Sequence, residues 1–335
     1  MNRTGPRVAV VGATGAVGQE LLDLLAERDF PLSELTLWSS PRSAGTKISF
    51  RGEELTVREL PGEGGLDADI IFASASSGIS RERAFRWAEH GATVIDNSSA
   101  WRLDDRVPLI IPEVNAEAAR TNQGVIANPN CSTIIALMAL APLHRAFGLE
   151  RATVATYQAV SGAGAAGVTE LEEQSRAVLS GSEPATDVFQ HVIAFNLFSH
   201  DSEIGADGYN DEERKLLEES RKILGVPGLA ISATCVRVPV FRAHSEAVHA
   251  EFSRPVTPEE AREVLAAAPG LKLVDDRDSN TFPMPVAASG RDDILVGRIR
   301  EDASRPGSLA LFIAGDQVRK GAALNAVQIG ELFAG

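Results

Sequence analysis

The stretch Arg7-Val-Ala-Val-Val-Gly12-Ala-Thr-Gly15-Ala-Val-Gly18 decides the fold. Val8 to Val11 form a short apolar, mostly β-branched run that suits a buried strand. Three glycines follow at G-x-x-G-x-x-G spacing, a variant of G-x-G-x-x-G. Ala16 to Arg28 then reads as a helix with Val17, Leu21, Leu22, Leu24 and Leu25 on its buried side. In such a strand–turn–helix, glycines let backbone N–H groups approach a phosphate, and the helix N-terminus faces it. Gly12, Thr14, Gly15, Ala16 and Val17 are the candidate contacts.

Outward from this turn, strands alternate with helices. Leu35 to Trp38, Asp69 to Ala73 and Thr93 to Asp96 read as strands, and Arg81 to His90 as a helix. This order implies a parallel sheet with right-handed crossovers, a Rossmann-like α/β domain. At the end of the second strand an NAD site would place Asp or Glu against the ribose. Here Ser39-Ser40-Pro41-Arg42-Ser43 offers hydroxyls and a guanidinium instead. Ser40, Arg42 and Ser43 therefore favour a 2′-phosphate, hence NADP.

The character changes at Asn128-Pro-Asn-Cys131. Longer strand-like runs follow at Ala152 to Val160, Leu229 to Val240, Ala247 to Phe252 and Ile294 to Ile299. Between them Thr169 to Leu179 and Glu212 to Leu224 read as helices, the second with Asp211 as candidate N-cap. This pattern predicts an α+β domain with a mostly antiparallel sheet. Gly321 to Phe333 reads as a last helix. The expected domains are 1–128 with 316–335 for the dinucleotide, and 129–315 for catalysis and dimerisation. The glycine-rich patch Ser161 to Gly167 reads as a loop near a ligand.

Bulk properties agree with a two-domain globular protein. The 335 residues are too many for one compact core. A formal net charge of −14 disfavours nucleic acid or an anionic membrane as partner. The longest apolar run, Ile134 to Leu143, is too short to span a bilayer. Met1 to Arg7 lacks the apolar stretch of a signal peptide, so a cytoplasmic location with Cys131 and Cys235 as reduced thiols is expected. No metal is expected.

Cys131 is the candidate nucleophile. The turn Asn128-Pro129-Asn130 stops one element, and Ser132 and Thr133 can cap a new helix. A cysteine at a helix N-terminus has its thiolate favoured by the macrodipole, which lowers its pKa. The same N–H groups can hold an oxyanion. Cys235 lies in a strand-like run and reads as structural. A thiolate nucleophile needs an acid/base partner. Among the six histidines, His244 fits best, after a strand end and a proline, where a loop can project it into a cleft.

The residues resemble the bacterial aspartate-semialdehyde dehydrogenase family from end to end. The resemblance is carried by GATGAVG (12–18), SSPRSAG (39–45), DNSSAWRLD (96–104), VPLIIPEVN (107–115), NPNCST (128–133), TYQAVSGAG (156–164), DEERKLLEESRKILG (211–225), RVPVFRAHSEAVHAEF (237–252), VGRIRED (296–302) and RKGAALNAVQI (319–329). It implies Cys131 as nucleophile, His244 as general acid/base, Gln158 holding substrate and thioester, and Asn130 placing the catalytic group. It further implies Arg237 on the substrate α-carboxylate, Glu212 on the amino group, and Arg102 and Lys215 on the phosphate. Ser161, Gly162 and Asn325 would join the NADP site. The reaction implied is reversible NADPH-dependent reduction of L-4-aspartyl phosphate to L-aspartate 4-semialdehyde, in the biosynthesis of lysine, threonine, methionine and isoleucine, by a homodimer. Ala243 stands where the family usually has Gly, Trp101 where Phe is common and Asn210 where Thr is common; none of these removes a functional group. The loop His200 to Asp207 looks individual to this chain.

Three other readings compete. N-acetyl-glutamyl-phosphate reductases share the chemistry, but an acylated amine would leave Glu212 without a purpose. Short-chain dehydrogenases need Tyr with Lys four residues on, whereas Tyr157 is followed by Ser161 and Tyr209 by Glu213. A non-catalytic paralogue would be marked by loss of Cys131, Gln158 or His244, and all three are present.

Overall fold

The computed structural model describes residues 5–334. The chain divides into two compact units, one reaching to Pro129 and resuming at Ala322, the other spanning Asn130–Gly321.

In the first unit, β1 (Arg7–Val11) leads through the glycine turn into α1 (Ala16–Glu27). Then come β2 (Glu34–Ser39), the small hairpin β3 (Lys47–Phe50) and β4 (Glu53–Thr56), and β5 (Arg58–Glu59). β6 (Ile70–Ala73), α2 (Ser77–Glu89), β7 (Thr93–Asp96), α3 (Pro112–Asn115) and β8 (Val125–Ala127) complete the run. Six strands form one sheet in the order β5-β2-β1-β6-β7-β8, with every pairing parallel. The expected α/β domain is present, and β8 and β5 are strands too short for sequence patterning to mark. The core packs Leu21, Leu24 and Leu25 of α1 against Val8, Val10, Phe72 and the C-terminal helix Leu324–Glu331.

The second unit starts with α4 (Cys131–Phe147) and β9 (Leu149–Gln158), then α5 (Gly164–Ser180), β10 (Phe198–Ser199) and α6 (Asp211–Leu224). β11 (Ala230–Arg237), β12 (His244–Phe252), α7 (Pro258–Ala267), β13 (Leu271–Leu273), α8 (Pro285–Ala288), β14 (Ile294–Glu301) and β15 (Leu309–Gly315) follow. The seven-stranded sheet runs β10-β11-β9-β12-β15-β14-β13. It is mixed: β11–β9 and β13–β14 are parallel and the other four pairings antiparallel. α4 packs on β9, β12 and β15. Its residues Ile134 to Ala141 are all buried, which explains an apolar run with no polar face. Among the described residues no helix is long and apolar enough to cross a membrane.

Four local expectations are corrected. Residues 316–321 belong to the second unit, because Asp316 is tied to Arg242 and the Gly290 N–H, and Gln317 to the Ala243 N–H. α6 is capped by Asn210, not Asp211: Asn210 and Glu213 form a reciprocal capping box, a geometry Asp211 inside the first turn cannot supply. The patch 161–167 is not all loop, since α5 already begins at Gly164. His244 is the first residue of β12 rather than part of a loop.

Candidate active site

The dinucleotide turn is built within the first unit. Gly12 has φ +82°, and a Cβ there would lie 2.1 Å from the Ser74 carbonyl oxygen, so only glycine fits. Gly15 is the N-cap of α1 and supplies no side-chain cap, and both it and Ala16 are exposed, so among the described residues no side chain takes the first-turn N–H groups of this helix. Val17 packs on the core. Thr14 Oγ1 and Ser39 Oγ are 3.0 Å apart and tie the turn to the end of β2. Beyond it, Ser40 opens a short turn, Pro41–Ser43, on which Arg42 stands exposed. Hydroxyls and an exposed guanidinium at the end of β2 suit a dinucleotide carrying a 2′-phosphate.

Two other expected residues of this unit are engaged in structure. Arg102 is buried, donating from Nε to the Asn128 carbonyl (2.9 Å) and from Nη2 to the Asn97 carbonyl (3.0 Å). Asn325 donates from Nδ2 to Ile110 O (2.9 Å) and Asn128 Oδ1 (2.6 Å). Both brace the strand end that leads to Cys131.

In the second unit, Cys131 is the first residue of α4. The helix is capped by Asn130, whose Oδ1 accepts from the N–H groups of Ser132 (3.0 Å) and Thr133 (3.3 Å). The expectation that Ser132 or Thr133 caps it is corrected; Asn is an equal or better N-cap and came first in the sequence. Ser132 instead turns its hydroxyl to Gln158 Nε2 (3.1 Å). Neither Cys131 nor Cys235 is in a disulfide, and burial pushes the Cys235 thiol up, which keeps it an inert thiol.

Strand register assembles the rest. Arg237 of β11 pairs with Gln158 of β9. Ser245 of β12 pairs with Tyr157, so the next position sets His244 beside Gln158. Arg237, Gln158 and His244 thus stand side by side in one row on the buried face, beneath the first turn of α4. Across this row Asn130 Nδ2 and Gln158 Nε2 donate to the same oxygen of Glu212, at 2.7 and 3.1 Å. Lys215 donates to the other oxygen at 3.0 Å. Glu212 is only 5% exposed, so this is not a solvated surface pair. Burial pushes its carboxyl up, but Lys215, His200 and the Asn130 bond outweigh that and hold it at about 2.

His244 is fully buried, and its Nδ1 accepts from the Ala159 N–H at 2.9 Å. Burial, then the nearby Arg237 charge, push it down to about 3. With Nδ1 as acceptor, the neutral ring carries its proton on Nε2, the nitrogen with no protein partner. The backbone of Gly162 covers this edge: a Cβ there would lie 3.0 Å from Arg237 Nη1 and 3.4 Å from His244 Cε1. Ser161 is fixed by Gln317 Nε2, and a Cβ on Gly321 would sit 3.0 Å from Cys131 Cβ. The orphaned polar atoms here, Gln158 Oε1, Arg237 Nε and His244 Nε2, point to a polar ligand.

Several participants were not singled out in the sequence. Glu219 accepts from the Asn130 N–H (2.7 Å). His200 and Asp201 both contact Arg237. Their loop looks individual to this chain, but no local motif ties it to a residue on another strand.

A dinucleotide-binding α/β unit and a mixed-sheet unit with a helix-borne cysteine match two family models. One, "Semialdehyde dehydrogenase, NAD binding domain", covers residues 7–122, and the other, "Semialdehyde dehydrogenase, dimerisation domain", residues 140–320. The aspartate-semialdehyde dehydrogenase of Synechocystis is 53% identical over 98% of this chain and 97% of its own, and that of Bacillus subtilis 44% over 98% and 97%. The solved aspartate semialdehyde dehydrogenase II of Vibrio cholerae, described also in complex with ASA, superposes with a TM-score of 0.95 at 44% identity over 98% of each chain. The chain belongs to the aspartate-semialdehyde dehydrogenase family.

Proposed function

We propose that the chain catalyses the reversible, NADPH-dependent conversion of L-4-aspartyl phosphate to L-aspartate 4-semialdehyde and phosphate through a thioester on Cys131. The observation that carries this reading is the row Arg237–Gln158–His244 under the first turn of the Cys131 helix, with ionised Glu212 beside it.

The roles follow from the chemistry of each group. Cys131 sulfur, favoured as thiolate by the helix N-terminus, attacks the acyl carbon, and the C–O bond to phosphate breaks. N–H groups of the same turn receive the developing oxyanion. NADPH, when bound, supplies the hydride that reduces the thioester carbon. The alkoxide so formed collapses: the C–S bond breaks, the aldehyde is released and Cys131 leaves as thiolate, with the neutral His244 ring donating a hydrogen bond from Nε2 to the departing sulfur. Arg237 answers the α-carboxylate and Glu212 the ammonium group. That carboxylate favours a free amine over an N-acetylated one. Gln158 orients the acyl group. Arg102 and Lys215 are assigned to phosphate. Gly12, Thr14, Gly15, Ala16, Val17, Ser161, Gly162 and Asn325 are assigned to NADP, with Ser40, Arg42 and Ser43 on its 2′-phosphate. The family's dimerisation domain supports a homodimer, and the acidic chain is assigned to the cytoplasm.

The test is NADP+ reduction with L-aspartate 4-semialdehyde, with and without phosphate, beside N-acetyl-L-glutamate 5-semialdehyde. Phosphate-dependent reduction with the first aldehyde alone is expected. Reduction with the acetylated aldehyde alone would overturn the substrate, and none with either the activity.

A further inference from the structure

Arg237 does not present an open guanidinium. A planar guanidinium offers a carboxylate two bidentate edges, Nη1 with Nη2 and Nε with Nη2. Both edges use Nη2. Here Nη2 donates to Asp201 Oδ1 at 3.0 Å and to His200 Nε2 at 2.9 Å, so both of its hydrogens are taken. Nη1 donates to the Ala159 carbonyl at 3.0 Å. Nε is buried and has no partner. The Nε–Nη2 edge is therefore half used, and a second carboxylate can grip it in two-point fashion only by taking Nη2 from one of its present partners.

Of those partners, His200 is the anchored one. Its N–H donates to the Cys235 carbonyl at 2.8 Å, where β10 ends against β11. Its ring is partly buried, and that burial pushes its pKa down. Arg237 Nη2 can only donate, so His200 Nε2 accepts and the neutral ring carries its proton on Nδ1, 3.1 Å from Ser202 Oγ, although the Ser202 N–H also lies 3.2 Å from that nitrogen. Asp201 is the more exposed partner, with a quarter of its side chain open, on the loop beyond β10. Burial alone would raise its carboxyl, but the charge and hydrogen bond of Arg237 outweigh it, so Asp201 stands there as an anion.

We propose that Asp201 is a tethered competitor: its carboxylate occupies Arg237 and must be displaced by the carboxylate of the substrate, so this loop sets affinity and selectivity at that subsite. The proposal rests on the reading of Arg237 as the group that holds the substrate carboxylate. An internal carboxylate already in place weakens every carboxylate ligand by the cost of displacing it. A ligand without a carboxylate feels no such competition.

The experiment compares L-aspartate 4-semialdehyde with 3-aminopropanal, which keeps the ammonium and the aldehyde but lacks the carboxylate. Asp201→Asn removes the charge and keeps the shape; Asp201→Ser and a melting curve for each variant guard against a folding defect. The expected result is a KM for L-aspartate 4-semialdehyde lowered by about three- to tenfold, with the 3-aminopropanal KM unmoved. A raised KM for the full substrate, or equal shifts for both aldehydes, overturns the proposal. Arg237→Lys separates the two layers. If it raises KM for the full substrate far more than for 3-aminopropanal, Arg237 holds the carboxylate, and the Asp201 variants alone judge the competitor. If it raises both equally, the reading of Arg237 fails first.

Discussion

The two units reach function by different routes. In the first, the turn assigned to the dinucleotide is one contiguous stretch, Gly12 to Gly18, whose geometry follows from local sequence: a strand, a glycine with φ +82°, and a helix start with no side-chain cap. In the second, Asn130, Gln158, Glu212, Arg237 and His244 are scattered over more than a hundred positions and meet only because strand register puts three of them in one row. A contiguous site can be read from spacing; a site assembled by register can be read only from resemblance or from a structure.

That contrast predicts unequal consequences of mutation. The largest effect belongs to the row. His244→Ala removes the Nε2–H donor, and kcat should fall by on the order of 10²–10⁴-fold with a much smaller change in KM. A fall of less than threefold in kcat would remove His244 from the chemistry. The contiguous site should respond more gently, because a dinucleotide held by backbone N–H groups depends less on any one side chain. Arg42→Ala should lower the ratio of kcat/KM for NADPH over NADH by about tenfold. An unchanged ratio would mean that the 2′-phosphate is read elsewhere.

The smallest effect tests the row's neighbour. Glu246 lies two residues from His244 on the same face, fully buried, with neither oxygen hydrogen-bonded, and burial pushes its carboxyl well above the ordinary range. The folded state therefore holds this proton to higher pH than the unfolded chain. Its stability contribution is present below the unfolded carboxylate range and is lost as pH rises toward the folded value. Glu246→Gln should flatten that decline and raise Tm at pH 8 by about 1–3 °C. Equal pH profiles for both proteins would show that Glu246 does not carry the proton.

Much of the fold was legible. The parallel sheet, the helix after the glycine turn and the long strands of the second unit follow from periodicity, because burial on one or both faces dictates it. The capping errors have local causes. At Asn130-Cys-Ser-Thr two hydroxyls compete with the better cap two residues before the first of them, and at Asn210-Asp211 two good caps stand side by side. The sequence around His244 reads as a loop because Pro239 breaks the preceding run, yet the chain re-enters the sheet within five residues. His200 and Asp201 carried no signal, since their meaning depends on Arg237 of the neighbouring strand.

The central claim is the covalent bond at Cys131. Enzyme mixed with L-aspartate 4-semialdehyde and NADP+ but no phosphate should release about one NADPH per active site in a burst and, after acid quench and digestion, carry an aspartyl group on the peptide containing Cys131. A burst without that adduct, or an adduct on Cys235 alone, would contradict the account.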